Sequence, residues 1–456
     1  MTKNQILTVR IESLTAKGIG IARCDGQVIF VPAVADGDLC EIKIIKLTSS
    51  YAVAKLERVI EYSKDRIMNS CSAFPRCGGC SFRHISYEKE LKVKKQTVID
   101  AVNRIGGLEI PVGDVLCTGE TDSYRNKAQY PLGEENGKIV FGFYADHTHR
   151  IISCEDCKIQ PKIFNDIMKY AVEFFNAKKL NAYNELTGKG LLRHCYLRIN
   201  KFQKVMLCLV INADSFKYEK EFAEFLAQND AVTSVFLNFN RNKSNVILSD
   251  SLKCIYGSEY IEDEFYGLKL RMSPDSFYQV NRLAAQLLYR TAFDLLPRKA
   301  YENVFDLYCG VGSIGISFMK YASEHNMAVG RLIGYEVVEK AIESAKLNAK
   351  NNGVGNASFY VGDLSSPPEA LMKEHAPSLV IVDPPRKGCS SELIELFCKM
   401  DIPYILYISC DPATLARDMK ILSTEYSFSD ITPVDLFPRT SHVECAVLCT
   451  RGERQC

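Results

Sequence analysis

From about residue 271 to the end, short apolar runs rich in β-formers alternate with helical stretches. The runs are Asn303–Leu307, Arg331–Tyr335, Ala357–Val361, Ser378–Val382, Tyr404–Ile408, Ile431–Leu436 and Val443–Cys449. Strands separated by helices can pair in parallel only through crossovers, so this rhythm predicts an α/β, doubly wound, mostly parallel sheet. In such sheets ligands bind at the carboxyl ends of the strands.

Polar residues collect at those ends. The first strand runs into Tyr308-Cys309-Gly310-Val311-Gly312-Ser313-Ile314-Gly315, a glycine-rich turn that lets backbone approach a ligand. The second ends at Glu336, where an acid can bind ribose hydroxyls. The third ends before Asp363, within reach of an adenine amino group, and the fourth ends in Asp383-Pro384-Pro385. Any one acid could simply cap a helix, and the turn alone also suits a dinucleotide. The set of four points to a nucleoside-bearing cofactor.

Upstream, Ile6–Leu14, Gln27–Pro32, Leu39–Leu47 and Tyr51–Ile60 are separated by closely spaced turn signals such as Asp25-Gly26 and Asp36-Gly37-Asp38. That spacing predicts a small antiparallel barrel over 1–60. Residues 61–270 carry Cys71, Cys77 and Cys80, a lysine-rich helix over about 87–105, and mixed elements without one clear period. Residues 271–456 form the third unit; the helix over 87–105 is expected to pack on it.

The 456 residues suit two to four domains, and 47% apolar content supports a sizeable core. No apolar run of about 18 residues predicts a membrane span, and MTKNQILTVR lacks the pattern of a signal peptide. The expectation is a cytoplasmic monomer with no membrane partner. Disulfides are rare there, so 18 cysteines call for a metal, a nucleophile or plain burial. With a net charge of +1, nucleic-acid binding must come from local patches.

Cys410 follows one strand and precedes Asp411-Pro412-Ala413-Thr414-Leu415, which has the look of a helix start. There a thiolate would be favoured by the helix dipole. Glu444 lies in an apolar strand; if buried, its pKa should rise into the range of a general base. Cys71, Cys77 and Cys80 need a fourth ligand, with Cys154 and Cys157 as candidates. Spacing leaves zinc and a four-cysteine iron–sulfur cluster both open. The segment 186–204 interleaves Lys189, Arg193, Arg198, Lys201 and Lys204 with His194, Tyr196 and Phe202, a pattern suited to RNA or to a solvated face.

SPDSFYQVN at 273–281, DLYCGVGSIG at 306–315, DPPRKG at 383–388, ISCDPATLARD at 408–418 and HVECAVL at 442–448 resemble the RNA 5-methyluridine methyltransferases, a class I S-adenosylmethionine-dependent family that modifies tRNA or large-subunit rRNA. The resemblance implies that Gln279, Tyr308, Glu336 and Asp383 contact S-adenosyl-L-methionine; Asp363 matches the broader class. It implies Cys410 as nucleophile, Glu444 as base and Phe277 as the stacking partner of the flipped uracil. It also implies Arg125 and Lys127, in YRNKAQY, as RNA contacts, and a TRAM module at the N-terminus. Many members hold a [4Fe–4S] cluster on CxxxxxCGGC plus a later cysteine, here matched by Cys71, Cys77, Cys80 and Cys157, with Cys154 the rival. The implied partner is structured RNA. Bacterial 23S rRNA is preferred over tRNA, because tRNA members commonly lack the cluster.

The residue types match the chemistry. Uracil carbon 5 is a poor nucleophile until a thiolate adds to carbon 6 and makes an enolate; a base must then remove the carbon 5 proton. The rivals are an adenine amino methyltransferase, which usually has an aromatic where Arg386 follows Asp-Pro-Pro, and a cytosine carbon 5 enzyme, which usually has a cysteine there. A silent RNA-binding or chaperone protein would not need both Cys410 and Glu444. A radical enzyme normally shows CxxxCxxC.

Overall fold

The computed structural model describes residues 1–244 and 246–452. The first six strands are β1 (Ile6–Arg10), β2 (Ser13–Leu14), β3 (Gly20–Cys24), β4 (Gln27–Val31), β5 (Leu39–Leu47) and β6 (Tyr51–Glu61), in the order β1-β5-β6-β4-β3-β2. β1 pairs with β5 and its continuation β2 pairs with β3, with Ile11 N donating to Asp38 O and Glu12 N to Ile21 O. One segment thus closes the sheet on itself and removes free edges. Alternate residues Ile29, Val31, Cys40, Ile42, Ile44, Ala52 and Ala54 fill the inside. One pairing departs from the antiparallel expectation: β4 and β6 are parallel, Val28 opposite Tyr51, because β5 lies between them in sequence.

Helix α1 (Tyr87–Ala101) continues as a wider π turn over Val102–Gly106. Val98 and Val102 bury into the same cluster as Leu415, Met419 and Ile431 of the C-terminal half. Lys94, 1% exposed, donates to Glu90 (2.8 Å), Asp435 (2.7 Å) and the Phe437 carbonyl (3.2 Å). This lysine is therefore an internal tie rather than part of a basic surface.

The middle of the chain holds β7 (Lys127–Glu135), β8 (Lys138–Tyr144), β9 (Ile151–Ser153), α2 (Lys162–Ala177), β10 (Leu192–Ile199), β11 (Val205–Ile211), α3 (Glu219–Leu226), β12 (Val232–Phe239) and β13 (Leu252–Gly257). The seven strands form one sheet, β13-β12-β11-β10-β7-β8-β9. Both faces of its centre are covered. Cys195, Leu197 and Ile199 meet the phenylalanines of α2 and α3, while Tyr196, Met206, Cys208 and Phe236 join the C-terminal core. The hairpin β14 (Ile261–Phe265) and β15 (Leu268–Met272) packs into that same core.

The last unit comprises α4 (Arg282–Asp294), β16 (Tyr301–Leu307), α5 (Ser313–Glu324), β17 (Val329–Glu336), α6 (Glu339–Asn351), β18 (Ala357–Val361), α7 (Glu369–His375), β19 (Leu379–Val382), α8 (Ser391–Lys399), β20 (Tyr404–Ser409), α9 (Pro412–Leu422), β21 (Tyr426–Phe428), β22 (Thr432–Val434) and β23 (Glu444–Arg451). Its sheet runs β18-β17-β16-β19-β20-β23-β21, with β22 also on β23. The first five strands are parallel and β23 is antiparallel. The strand order reverses direction at β16 and β19, which leaves a crevice beyond their carboxyl ends. Among the described residues no helix is long and apolar enough to cross a membrane.

Candidate active site

That crevice is a cleft of about 1040 Å³ lined by Phe277, Gln279, Tyr308, Glu336, Asp363, Asp383, Arg386, Cys410, Phe437, His442 and Glu444, among others. The structure brings every sequence-predicted cofactor, stacking and catalytic residue to one cavity. Its floor is the turn after β16. Tyr308, Gly310 and Gly312 all have positive φ, at 63°, 52° and 77°, so the glycines supply a left-handed path that other residues would strain. Glu336 accepts from Gly310 N (3.2 Å) and Val338 N (3.0 Å), which pins the second strand end against this turn. Asp363 stands exposed at the rim and accepts from Ser365 N at 2.8 Å.

The sequence reading missed Asp306. It is fully buried; Oδ2 accepts from Gly315 N at 2.9 Å, while Oδ1 has no partner. Burial, with added repulsion from Asp383 and Glu336, lifts its pKa to about 7 against the pull of the Gly315 N–H. An acid in the apolar run VFDL was the available signal.

Cys410 follows the last residue of β20, and Glu444 is the first residue of the adjacent β23. Ser409 pairs with Cys445 across β20 and β23, so each of the two residues lies one position from that pair, and both line the cleft. Glu444 is 5% exposed. Burial first, then Asp383, raises its pKa to about 8, partly offset by Arg386. Burial alone raises Asp383 to about 7. The expected lowering of the Cys410 pKa does not occur in this site: burial, then Glu444 and Asp383, push it up to about 12, with Arg386 opposing. The reason is local. The α9 N-terminus spends its N–H groups on Asp411, which accepts from Ala413 N (2.9 Å) and Thr414 N (3.1 Å). Arg386 thus opposes the carboxyls of Glu444 and Asp383 at Cys410, and it is the second residue whose part the sequence reading did not assign. Arg386 Nη2 lies 3.2 Å from His442 Nε2. Burial, then Arg386, lowers the His442 pKa to about 4, so the ring is neutral and accepts that bond.

Phe277 is 58% exposed on the cleft, so core packing does not account for it. Its loop is held from behind: Asn126 Nδ2 donates to Gln279 O (2.8 Å), Asn126 N to Val280 O (2.7 Å), and Arg198 Nη2 to Ser276 O. Arg125 and Lys127 are half-buried beside this loop. The segment 186–204, expected as an RNA-contacting or a solvated face, keeps only part of itself at the surface, with Lys189, Phe202 and Lys204 exposed. Arg193, His194, Tyr196 and Arg198 are buried in β10, the centre of a sheet covered on both faces; Arg193 donates to Asn240 O and Asn242 O.

Cys71, Cys77, Cys80, Cys154 and Cys157 line one small pocket with Phe74, Phe143 and Ile159. Among the described residues, no three Cys, His, Asp or Glu side chains stand placed to hold a metal ion as they are. The donor set nevertheless fits an iron–sulfur group in kind: five thiols line one pocket, with the cations Arg83 and Lys158 beside its apolar residues. The pocket is tied to the active site, since Ser81 N and Phe82 N donate to Arg439 O (2.8 and 3.1 Å) and Tyr124 OH donates to Pro438 O (2.9 Å).

A family model described as tRNA (Uracil-5-)-methyltransferase matches residues 368–452, which include Cys410 and Glu444; a TRAM domain matches 1–56 and a methyltransferase small domain 284–396. A relative from Clostridium tetani, described as an uncharacterized RNA methyltransferase, is 37% identical over 98% of this chain and 97% of its own. One from Listeria monocytogenes, similarly described, is 36% identical over 98% of each. The chain belongs to the RNA (uracil-5-)-methyltransferases. In structure this methyltransferase is similar to the Pyrococcus abyssi tRNA (uracil-54, C5)-methyltransferase solved with S-adenosyl-L-homocysteine. The TM-score is 0.77 at 26% identity, over 97% of this chain and 99% of that one.

Proposed function

We propose that this methyltransferase moves a methyl group from S-adenosyl-L-methionine to carbon 5 of a uridine in structured RNA, through a covalent bond between Cys410 and uracil carbon 6. The observation that carries it is that Cys410 and Glu444, each one residue from the Ser409–Cys445 pair, line the same cleft. When bound, the donor supplies an electrophilic methyl. Glu336, Asp363, Tyr308, Gln279 and Asp383 hold it, which the glycine turn and the unpaired Asp306 oxygen support. Phe277 stacks on the extruded base, whose removal from the helix is what exposes the ring to a side chain. Cys410 gives up its proton to water and its sulfur adds to carbon 6, leaving an enolate whose carbon 5 takes the methyl as the methyl's bond to the donor sulfur breaks. After methylation Glu444 takes the carbon 5 proton, the electrons return to the ring, and the carbon–sulfur bond breaks. Arg386 is the cation placed to favour both ionised forms.

Cys71, Cys77, Cys80 and Cys157 are the proposed holders of a [4Fe–4S] cluster, with Cys154 in the same pocket. Its part is to brace the loop that ends at Ser81 and Phe82, and through Arg439 the approach to Glu444. Anaerobically purified protein should absorb near about 400 nm and contain iron and sulfide; zinc in their place contradicts this. The cysteine pocket favours 23S rRNA as substrate. The likeness to the Pyrococcus enzyme favours tRNA as a second reading. Mass mapping of 5-methyluridine in both RNAs from a deletion strain and its complement tests the function: one uridine should lose its methyl and regain it. No lost methyl in either RNA contradicts the reading.

A further inference from the structure

The backbone that carries Arg386 is gripped from behind. Asp383-Pro384-Pro385 runs into a tight turn closed by Gly388 N on Pro385 O (2.8 Å), with Arg386 and Lys387 at its two corners. Both corner residues line the cleft. Behind the turn stands Asp418 of α9, 1% exposed. Its Oδ2 accepts from Cys389 N (3.0 Å) and from Tyr407 OH (2.6 Å). Its Oδ1 accepts from Arg417 Nε (2.8 Å) and Nη2 (2.6 Å). That Nη2 also donates to Lys387 O (3.0 Å) and Cys389 O (3.2 Å). Gly388 has φ 76°, and a Cβ there would meet Arg417, Asp418 and Thr414, so the turn is seated directly on α9. A buried carboxylate is costly unless its lone pairs are met. Here they are met by the backbone just after Arg386, by β20 and by Arg417. Neither Asp418 nor Arg417 lines the cleft itself.

We propose that Asp418, with Arg417, is a positioning residue that holds Arg386 toward Cys410 and Glu444. Helix α9 makes this possible. Its N-cap, Asp411, follows Cys410 directly, and Asp418 lies about two turns further along the same helix. One rigid element therefore fixes the thiol at its start and the turn of the cation at its side. The spacing of Cys410 and Arg386 is then set through helix backbone rather than by the turn alone. Glu444, Asp383 and Asp411 all act against the Cys410 thiolate, and Arg386 acts for it. Arg386 likewise opposes the burial and the Asp383 charge that hinder ionisation of Glu444. Charges interact inversely with distance, so a turn free to drift would lose both effects. His442, 3.2 Å from Arg386, is neutral and offers it no competing charge.

This inference rests on the roles of Cys410, Glu444 and Arg386 proposed above. Its test reads the field of Arg386 at the Cys410 sulfur in the free full chain. The readout is the rate at which iodoacetamide alkylates Cys410, followed by peptide mass spectrometry. Below the thiol pKa that rate follows the thiolate fraction, so one pKa unit is about tenfold. Arg386→Gln should slow alkylation roughly tenfold when Asp418 is present, and by less than about twofold in an Asp418→Asn background. A merely structural Asp418 would change the rate in both backgrounds alike and leave the effect of Arg386→Gln intact. An equal drop in both backgrounds therefore overturns the proposal, as does no drop in either. Where Asp418→Asn fails to fold by circular dichroism, Arg417→Gln takes its place, since that side chain is 47% exposed. It should abolish the same coupling, and an undiminished drop there also overturns the proposal. No RNA or S-adenosylmethionine enters the measurement, so absence of 5-methyluridine would sink the function and not this arrangement.

Discussion

Cys410, the residue after β20 ends, and Glu444, the first residue of β23, each lie one position beyond the Ser409–Cys445 pair, and both line the cleft. Successive side chains alternate faces along a strand, so directly opposed residues share one face. The Ser409–Cys445 pairing thereby brings a thiol and a carboxyl far apart in sequence to one cleft, where Glu444 acts on Cys410.

Replacing Cys410 by alanine should abolish methylation, by on the order of 10⁴-fold or more, while S-adenosylhomocysteine still binds. Calorimetric titration beside a methyl-transfer assay checks this; retained turnover removes Cys410 as nucleophile.

The pH profile follows from the buried base. A group that must be ionised to accept a proton works above its pKa, so kcat/KM of the free enzyme should rise with pH toward about 8, the value at Glu444. Asp383, near 7, titrates in the same region, so the limb belongs to the pair. Arg386→Gln removes the opposing cation and should move the limb to higher pH. A limb at ordinary carboxylate values contradicts the assignment.

The same carboxyl sets a stability trend. The Glu444 pKa is raised on folding from 4.5 to about 8, so the folded state binds the extra proton. Its contribution is fully present below the unfolded pKa and is lost as pH rises through about 8. Glu444→Gln should flatten this dependence and raise Tm at alkaline pH by several degrees, as read by thermal melts at acidic and alkaline pH.

Lys94 joins Glu90 of α1 to Asp435 and to the Phe437 carbonyl beside the cleft. Removing one partner of a buried ion pair strands the other, so Lys94→Ala should cost roughly 3–5 kcal/mol in denaturant unfolding. Any folded fraction should show reduced kcat, because the loop over 437–442 loses its anchor.

Much of this architecture is written in local patterns. The C-terminal strands alternate with helices, and each carries its polar residue at the end that faces the cleft, so Tyr308, Glu336, Asp363 and Asp383 could be named from position. The middle was opaque for a physical reason. β10 and β11 are buried on both faces, half their residues serving each of two cores, so neither alternation nor a clean apolar stripe survives. The basic run 186–204 misled for the same reason, with Arg193 and Arg198 turned inward onto carbonyls. Arg386 stood in plain view after Asp-Pro-Pro, but its proximity to Cys410 and Glu444 exists only once β19, β20 and β23 lie side by side.

The central claim is that the sulfur of Cys410 and the carboxylate of Glu444 act in turn on one uridine. Glu444→Gln should bind carbon 6 and accept the methyl, but fail to remove the carbon 5 proton. Incubated with S-adenosylmethionine and the RNA that loses its methyl in the deletion strain, it should give an adduct that survives denaturing electrophoresis. Digestion and mass spectrometry should find methylated uracil on the peptide carrying Cys410. No adduct, or an adduct on another residue, contradicts the account.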